Sequence, residues 1–312
     1  MENLETLYSL GGNTFYAVAY ALLVPPQIYL GVKYRTWGFL FAMFCGLVLE
    51  VIGYAARIRM SQGENQFVMY IICITIGPAF FSAAIYLCLA RIVPVYGQHI
   101  WRVSPRFIAI AFILADVCAL LLQVAGGGSA SHADPETRQV SLSILQAGLA
   151  VHLVGIFAFV VLSTAFAYLV RSNRGRWDPR LEPLQQSARF KAFLIGEVPR
   201  CLHQALMSWF SHNKALGVAT VLILIRTAFR VAELSQGYKS DISRNEDLFF
   251  VLEGAVVLMA SICLTAWHPG VAFQYLWQKA DFQLKSSKGR RGACRELPGT
   301  INSSENGSTR SA

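Results

Sequence analysis

Residues Leu222 to Leu234 read LILIRTAFRVAEL. Most of the run is aliphatic or aromatic, yet Arg226, Arg230 and Glu233 interrupt it at i, i+4 and i+7, a spacing that gathers them on one face of a helix. Such a helix fits either a soluble amphipathic element or a membrane span that turns its charges inward. Composition decides between the two. The chain has 312 residues, 54% of them hydrophobic and only 14% charged, which is a membrane composition and leaves too little polar surface for a soluble domain.

A transmembrane helix needs about 20 mostly apolar residues to cross roughly 30 Å of hydrocarbon. Windows of that kind run from Thr14 to Val32, Trp37 to Ala56, Phe67 to Ile92, Pro105 to Val124, Ser143 to Val170, Ala215 to Leu234 and Leu248 to Trp267. The expected fold is an all-α integral membrane protein of seven transmembrane helices. Basic residues flanking short spans stay on the cytoplasmic side. With the N-terminus outside, 20 of the 27 lysines and arginines lie inside, five lie outside (Arg57, Arg59, Arg138, Lys239 and Arg244), and Arg226 and Arg230 lie within a span. The bias predicts an outer N-terminus and a cytoplasmic C-terminus. It also directs the net charge of +9 toward anionic headgroups and away from nucleic acid.

The expected organisation is an outer segment (1–13), the seven-helix domain (14–267), an interfacial helix (268–285) and a disordered cytoplasmic tail (286–312). Met1 to Gly12 holds two acids and no basic residue, so no cleavable signal is expected and the first helix acts as its own insertion signal. In the interfacial segment Phe273, Leu276, Trp277, Ala280 and Leu284 recur at helical spacing on one side. The tail is rich in Ser, Gly and Arg. No cysteine pair falls in the outer loops, so no structural disulfide is expected.

The charges buried in the spans are the candidate substrate-pathway or ion-pair residues: Glu50, Asp116, Arg226, Arg230, Glu233 and Glu253. Charges at bilayer depth face the bundle interior and seek partners. For Arg226 the first candidate partner is Glu253 and the second Glu50. Four acids face two arginines, so water or a proton must enter the cluster. The plainer reading is a set of ion pairs that fixes helix register, with Glu233 snorkelling at a helix end. Pro78, beside Gly77 in the third window, is expected to kink that helix. It also frees a carbonyl that a neighbour, water or ligand must satisfy. The Gly126 to Gly128 run is expected to form an exit turn.

These pieces together resemble one family. EVIGYAAR (Glu50 to Arg57), GPAFFSAAIYLCLARI (Gly77 to Ile92), Asp116 with LLLQVAGGG (Leu120 to Gly128), LIRTAFRVAEL (Leu224 to Leu234) and HPG (His268 to Gly270) occur in the order found in the fungal RTA-like lipid-translocating exporters. The resemblance implies seven helices, tolerance of toxic amphiphiles, and cargo such as sphingoid bases, aminosterols or porphyrin-type ligands. Expected partners are membrane lipids and amphipathic cargo; neither nucleic acid nor nucleotide is expected, since no GxxxxGK[ST] loop is present. No cofactor and no metal are expected. The expected location is the plasma membrane, with other endomembranes as the alternative.

Two other classes compete with transport. A seven-helix receptor or sensor shares the topology, but the third window ends LARI with no acid before Arg91. A zinc hydrolase needs clustered histidines. Here His152 and His268 fall in different spans and His99, His132, His203 and His212 fall in loops, so no enzyme is expected. One segment departs from the family pattern. Between FKAFLIG (Phe190 to Gly196) and ALGVATV, the 18 residues Glu197 to Lys214 read as a translated intron or insertion, with an apolar interfacial segment as the alternative.

Orientation yields a first prediction. The sequons at Asn302 and Asn306 lie in the tail assigned to the cytoplasm, so neither acquires a glycan in the cell. A glycosidase-sensitive mobility shift, lost when both asparagines are replaced, reverses the orientation.

Overall fold

Long apolar segments must satisfy their own backbone polar groups, and helices do so within one stretch of chain. The computed structural model follows that rule. It describes residues 9–64, 66–96, 104–130, 135–173, 215–235, 246–273 and 277, all within one compact unit, Met1–Ala280. The predicted insertion at 197–214, the tail and most of the predicted interfacial helix lie outside the described residues.

The helices are α1 (Leu10–Lys33), α2 (Trp37–Ser61), α3 (Phe67–Tyr96), α4 (Pro105–Ala130), α5 (Pro135–Ser172) and α6 (Ala215–Ser235). A last stretch is built from α7 (Glu246–Phe249), a π-helical turn (Phe250–Ala255), α8 (Val256–Ala266) and α9 (Pro269–Ala272). Among the described residues, six stretches are long and apolar enough to cross a membrane: α1 to α5 and the composite Glu246–Ala272. α6, which carries Arg226, Arg230 and Glu233, is not among them.

Neighbours in sequence pack as neighbours in space, and α8 packs on both α6 and α1, which closes the ring. α3 also reaches α6 across the interior. It is the enclosed helix: 72% of its most apolar window is buried, against 22% for α1, α4 and α5. The outer surface is the reverse of a soluble protein's, with Leu22, Phe107, Leu121 and Tyr168 exposed while Glu50, Arg226, Arg230 and Glu253 are buried.

Local chemistry sets the ends. Ser9 caps α1, its hydroxyl accepting from the Gly12 amide at 3.3 Å. α2 ends in a Schellman motif: Gly63, at φ 88°, donates to the Met60 carbonyl, and the Glu64 amide reaches back to Arg59. The helices outrun the apolar windows, because backbone hydrogen bonding continues past the first polar side chain. Arg57 and Arg59, beyond the second apolar window, extend α2. One sequence expectation changes. The Gly126 to Gly128 run is helical and forms no turn. Close approach explains the glycine, since a Cβ on Gly126 would lie 2.7 Å from the Ser141 carbonyl oxygen of α5.

α3 runs unbroken through Pro78 and Pro94. The π turn has its own support from α1. Tyr16 donates to the Phe250 carbonyl (2.8 Å) and Tyr20 to the Gly254 carbonyl (3.1 Å), and both rings stack with that of Tyr54. At the same end, Arg57 donates to Asn13 Oδ1 (2.8 Å), pairs with Glu246 (3.4 Å) and lies 3.8 Å over the Phe249 ring. From the predicted interfacial segment, Phe273 and Trp277 are buried in edge-on contact, and Arg91 donates to the Trp277 carbonyl.

The tyrosine bonds make a second prediction. Replacing Tyr16 and Tyr20 together by Phe removes two hydrogen bonds at about 1 kcal/mol each and lowers the melting temperature in nanodiscs. Tyr54→Phe serves as the contrast, since its buried hydroxyl has no hydrogen-bond partner, and it leaves the melting temperature unchanged.

Candidate functional site

Proline at position 78 has no amide hydrogen, so the carbonyl four residues earlier, that of Ile74, loses its helical donor. Arg226 takes it. Its Nη2 donates to the Ile74 oxygen at 2.6 Å, and the same nitrogen pairs with Glu253 Oε1. Both side chains are 1% exposed. One turn further along α6, Arg230 Nη1 donates to Glu233 Oε2 at 2.7 Å while its Nε lies 3.7 Å from Glu253 Oε1. Glu253 stands in the π turn, where the widened register sets the carboxylate between the two arginines.

Glu50, on α2, faces this group without joining it. It lies within electrostatic reach of Arg226, Arg230 and Glu253, yet it makes no ion pair within 4.0 Å and its buried Oε1 has no hydrogen-bond partner. Gly77 makes the room: a Cβ there would lie 2.7 Å from that oxygen. The Gly77–Pro78 dipeptide thus does two jobs, one residue giving space to Glu50 and the other a carbonyl to Arg226. Tyr20 and Tyr54 border the same group.

Five of the six candidate charges therefore come together, and three carboxyl groups face two guanidinium groups. Asp116 stands elsewhere. It meets His152 of α5 at 2.9 Å, and both are buried. The physical reason is helix position: α4 packs on α3 and α5, whereas the arginine group is held by α2, α3, α6 and the π turn. Sequence reasoning missed His152 as a partner, the Arg57 clamp, and Arg226 as the donor to Ile74. The last had a signal, since a buried arginine and a mid-helix proline each demand a partner. Among the described residues no group of three or more His, Cys, Asp or Glu could hold a metal ion. His268 is instead structural, its Nδ1 accepting from the Gly270 amide and its ring edge-on to Phe39.

The RTA1 like protein family matches residues 43–275, and this chain belongs to that family. The sphingoid long-chain base transporter RSB1 of Saccharomyces cerevisiae is 30% identical over 254 residues, 77% of this chain and 66% of the relative. Protein RTM1 of S. cerevisiae is 26% identical over 245 residues (75% and 71%). Protoporphyrin uptake protein 1 of S. cerevisiae is 26% identical over 228 residues (71% and 66%). The chain thus spans just under two thirds of the length of the sphingoid base transporter. No solved structure matches.

The double duty of Arg226 sets a graded prediction. Arg226→Leu leaves the Ile74 carbonyl without its donor and Glu253 with Arg230 at 3.7 Å as its remaining partner, and it lowers the yield of folded protein, as expected for about 3 to 5 kcal/mol. Adding Glu253→Leu recovers part of the yield. Adding Pro78→Ala as well restores an amide donor to Ile74 and recovers more. If that third change adds nothing to thermal stability in nanodiscs, the carbonyl is not what Arg226 is needed for.

Proposed function

We propose that this multi-pass membrane protein translocates amphipathic lipids or lipid-like toxic compounds, sphingoid bases and aminosterols foremost, through a seven-span bundle with its N-terminus outside. In this reading α6 is also a span, the sixth of seven in chain order, and its charges are tolerable because they are turned inward and matched. The plasma membrane is the proposed site of action. The cargo class draws on the sphingoid base transporter among the relatives and on the chemistry of the buried carboxyls.

The observation that carries the reading is Glu50. A buried carboxyl without a partner is stable only if it is protonated or if a cation comes to it. The arginines beside it are already engaged by Glu253 and Glu233. A protonated amine on a long apolar chain supplies the missing cation, with the chain remaining in the apolar surroundings of the bundle. The role is binding and passage; no bond is made or broken.

The test is a tolerance panel in deletion and overexpressing cells, using sphingoid bases, aminosterols and porphyrins. Overexpression raises tolerance to the two amine classes. Glu50→Gln, at equal surface level, weakens it about tenfold, the loss expected for one charge-assisted contact. Unchanged tolerance in all of these strains removes the translocation reading.

A further inference from the structure

Asp116 and His152 form a second buried polar centre that the arginine group does not explain. His152 Nδ1 lies 2.9 Å from Asp116 Oδ1, and each residue is 3% exposed. Their other polar atoms, His152 Nε2 and Asp116 Oδ2, are buried without a hydrogen-bond partner. The structure thus holds a hydrogen-bonded acid–base pair with capacity left on both members. An orphaned buried polar atom costs about 1 to 3 kcal/mol, so a purely structural pair would be expected to satisfy them.

The surroundings of the pair are polar on one side and apolar on the other. Toward the far end of α4, Gln123 is buried with both amide atoms unpartnered, seven residues or about 10 Å beyond Asp116. It abuts Gly148 of α5. Another six residues on, the hydroxyl of exposed Ser129 donates to Ser141 of α5 at 3.0 Å. Toward the other end, the crevice between α3, α4 and α5 is lined by Leu89, Val93, Ile108 and Phe159, with Tyr86 at its head. The Tyr86 hydroxyl approaches Asp116 and Ser82 without completing a well-formed hydrogen bond.

We propose that Asp116–His152 is a proton-binding site, loaded from the outer face along the α4–α5 seam, whose proton is exchanged for a cationic cargo molecule. One proton moves inward for each monovalent cation moved outward, so no net charge crosses. The apolar crevice on the inner side bars release in the conformation described here. A proton therefore leaves inward only when helices move, which is the condition for coupling as opposed to leak. The titratable neighbour from α3 is Tyr86, and α5 contributes His152. The charges of α6, which packs on α5, are engaged with Glu253 and within their own helix.

The coupling half of this inference rests on the translocation reading, so the test has two arms. In the first, the full chain in nanodiscs carries isotope-labelled His and Asp, and the His152 signal is identified by its loss in His152→Gln. A change of protonation at the pair between about pH 5 and 8, altered in Asp116→Asn, supports the site. No change at either group across that range overturns it, whether or not any lipid moves. In the second arm, proteoliposomes with a luminal pH dye receive an N-trimethylated long-chain base, whose fixed charge carries no exchangeable proton. Movement of this base accompanied by a luminal pH change, with both reduced about tenfold in Asp116→Asn and His152→Gln, supports exchange. Movement without a pH change overturns exchange. If no base moves in the unaltered protein, the translocation reading and the exchange both fall, and the first arm still decides the proton site.

Discussion

The carbonyl of Ile74 is the constraint around which the interior is arranged. Pro78 deprives it of a helical donor, and in an apolar interior an unpaired carbonyl cannot turn to water. Arg226 answers it from another helix, which fixes α6 against α3. That arginine brings its own charge, which requires Glu253; Glu253 sits in a widened turn that Tyr16 and Tyr20 hold from α1. One missing amide hydrogen is thus linked by contact to four separate segments. The chain of contacts is held by matched needs, and hydrophobic packing alone could not specify it, since apolar side chains slide past one another at little cost.

Among the described residues, the buried Asp, Glu and Arg side chains gather in three places, and each ties different helices together. Arg57 joins α2 to α1 and to α7 through Asn13 and Glu246. The arginine pair joins α6 to α3 and to the π turn. Asp116 and His152 join α4 to α5. Between them lie apolar and aromatic contacts such as Tyr86 against Phe159. The centres differ in completeness. Arg57 is fully engaged with an acid, an amide and aromatic rings, whereas Glu50 and the Asp116–His152 pair keep unpartnered atoms in a dry setting. Completed centres suit a scaffold, and incomplete ones suit a molecule that must accept something.

Much of this was legible in the chain. The apolar windows located the long helices, because burial of a whole segment leaves a signal at every residue. The spacing of Arg226, Arg230 and Glu233 announced a shared face, and Glu253 could be named as first partner for Arg226 because opposite charges at bilayer depth must find each other. Asp116 was grouped with the wrong neighbours. Charge and approximate depth are written in sequence, but azimuth around the bundle is not, and only packing could say that Asp116 faces α5. The Gly126 to Gly128 run misled for a related reason, since glycine serves turns and close helix contacts alike. The π turn left no trace in composition, because its register is set by partners distant in sequence.

That turn has a bearing on how the chain tolerates length changes. Hydrogen bonding from i to i+5 accommodates one more residue per turn than the ordinary helix around it. Glu246 and Glu253, the acids that meet Arg57 and Arg226, lie on opposite sides of the additional residue. Deleting a single position between Phe250 and Glu253 would let the segment relax to an ordinary helix with its flanking turns still in phase, because the additional residue is what the widened turn absorbs. The two acids would keep their faces, but the widened turn whose carbonyls accept from Tyr16 and Tyr20 would be lost. The cost of a shortened segment would thus fall on the α1 contact and not on the ion pairs.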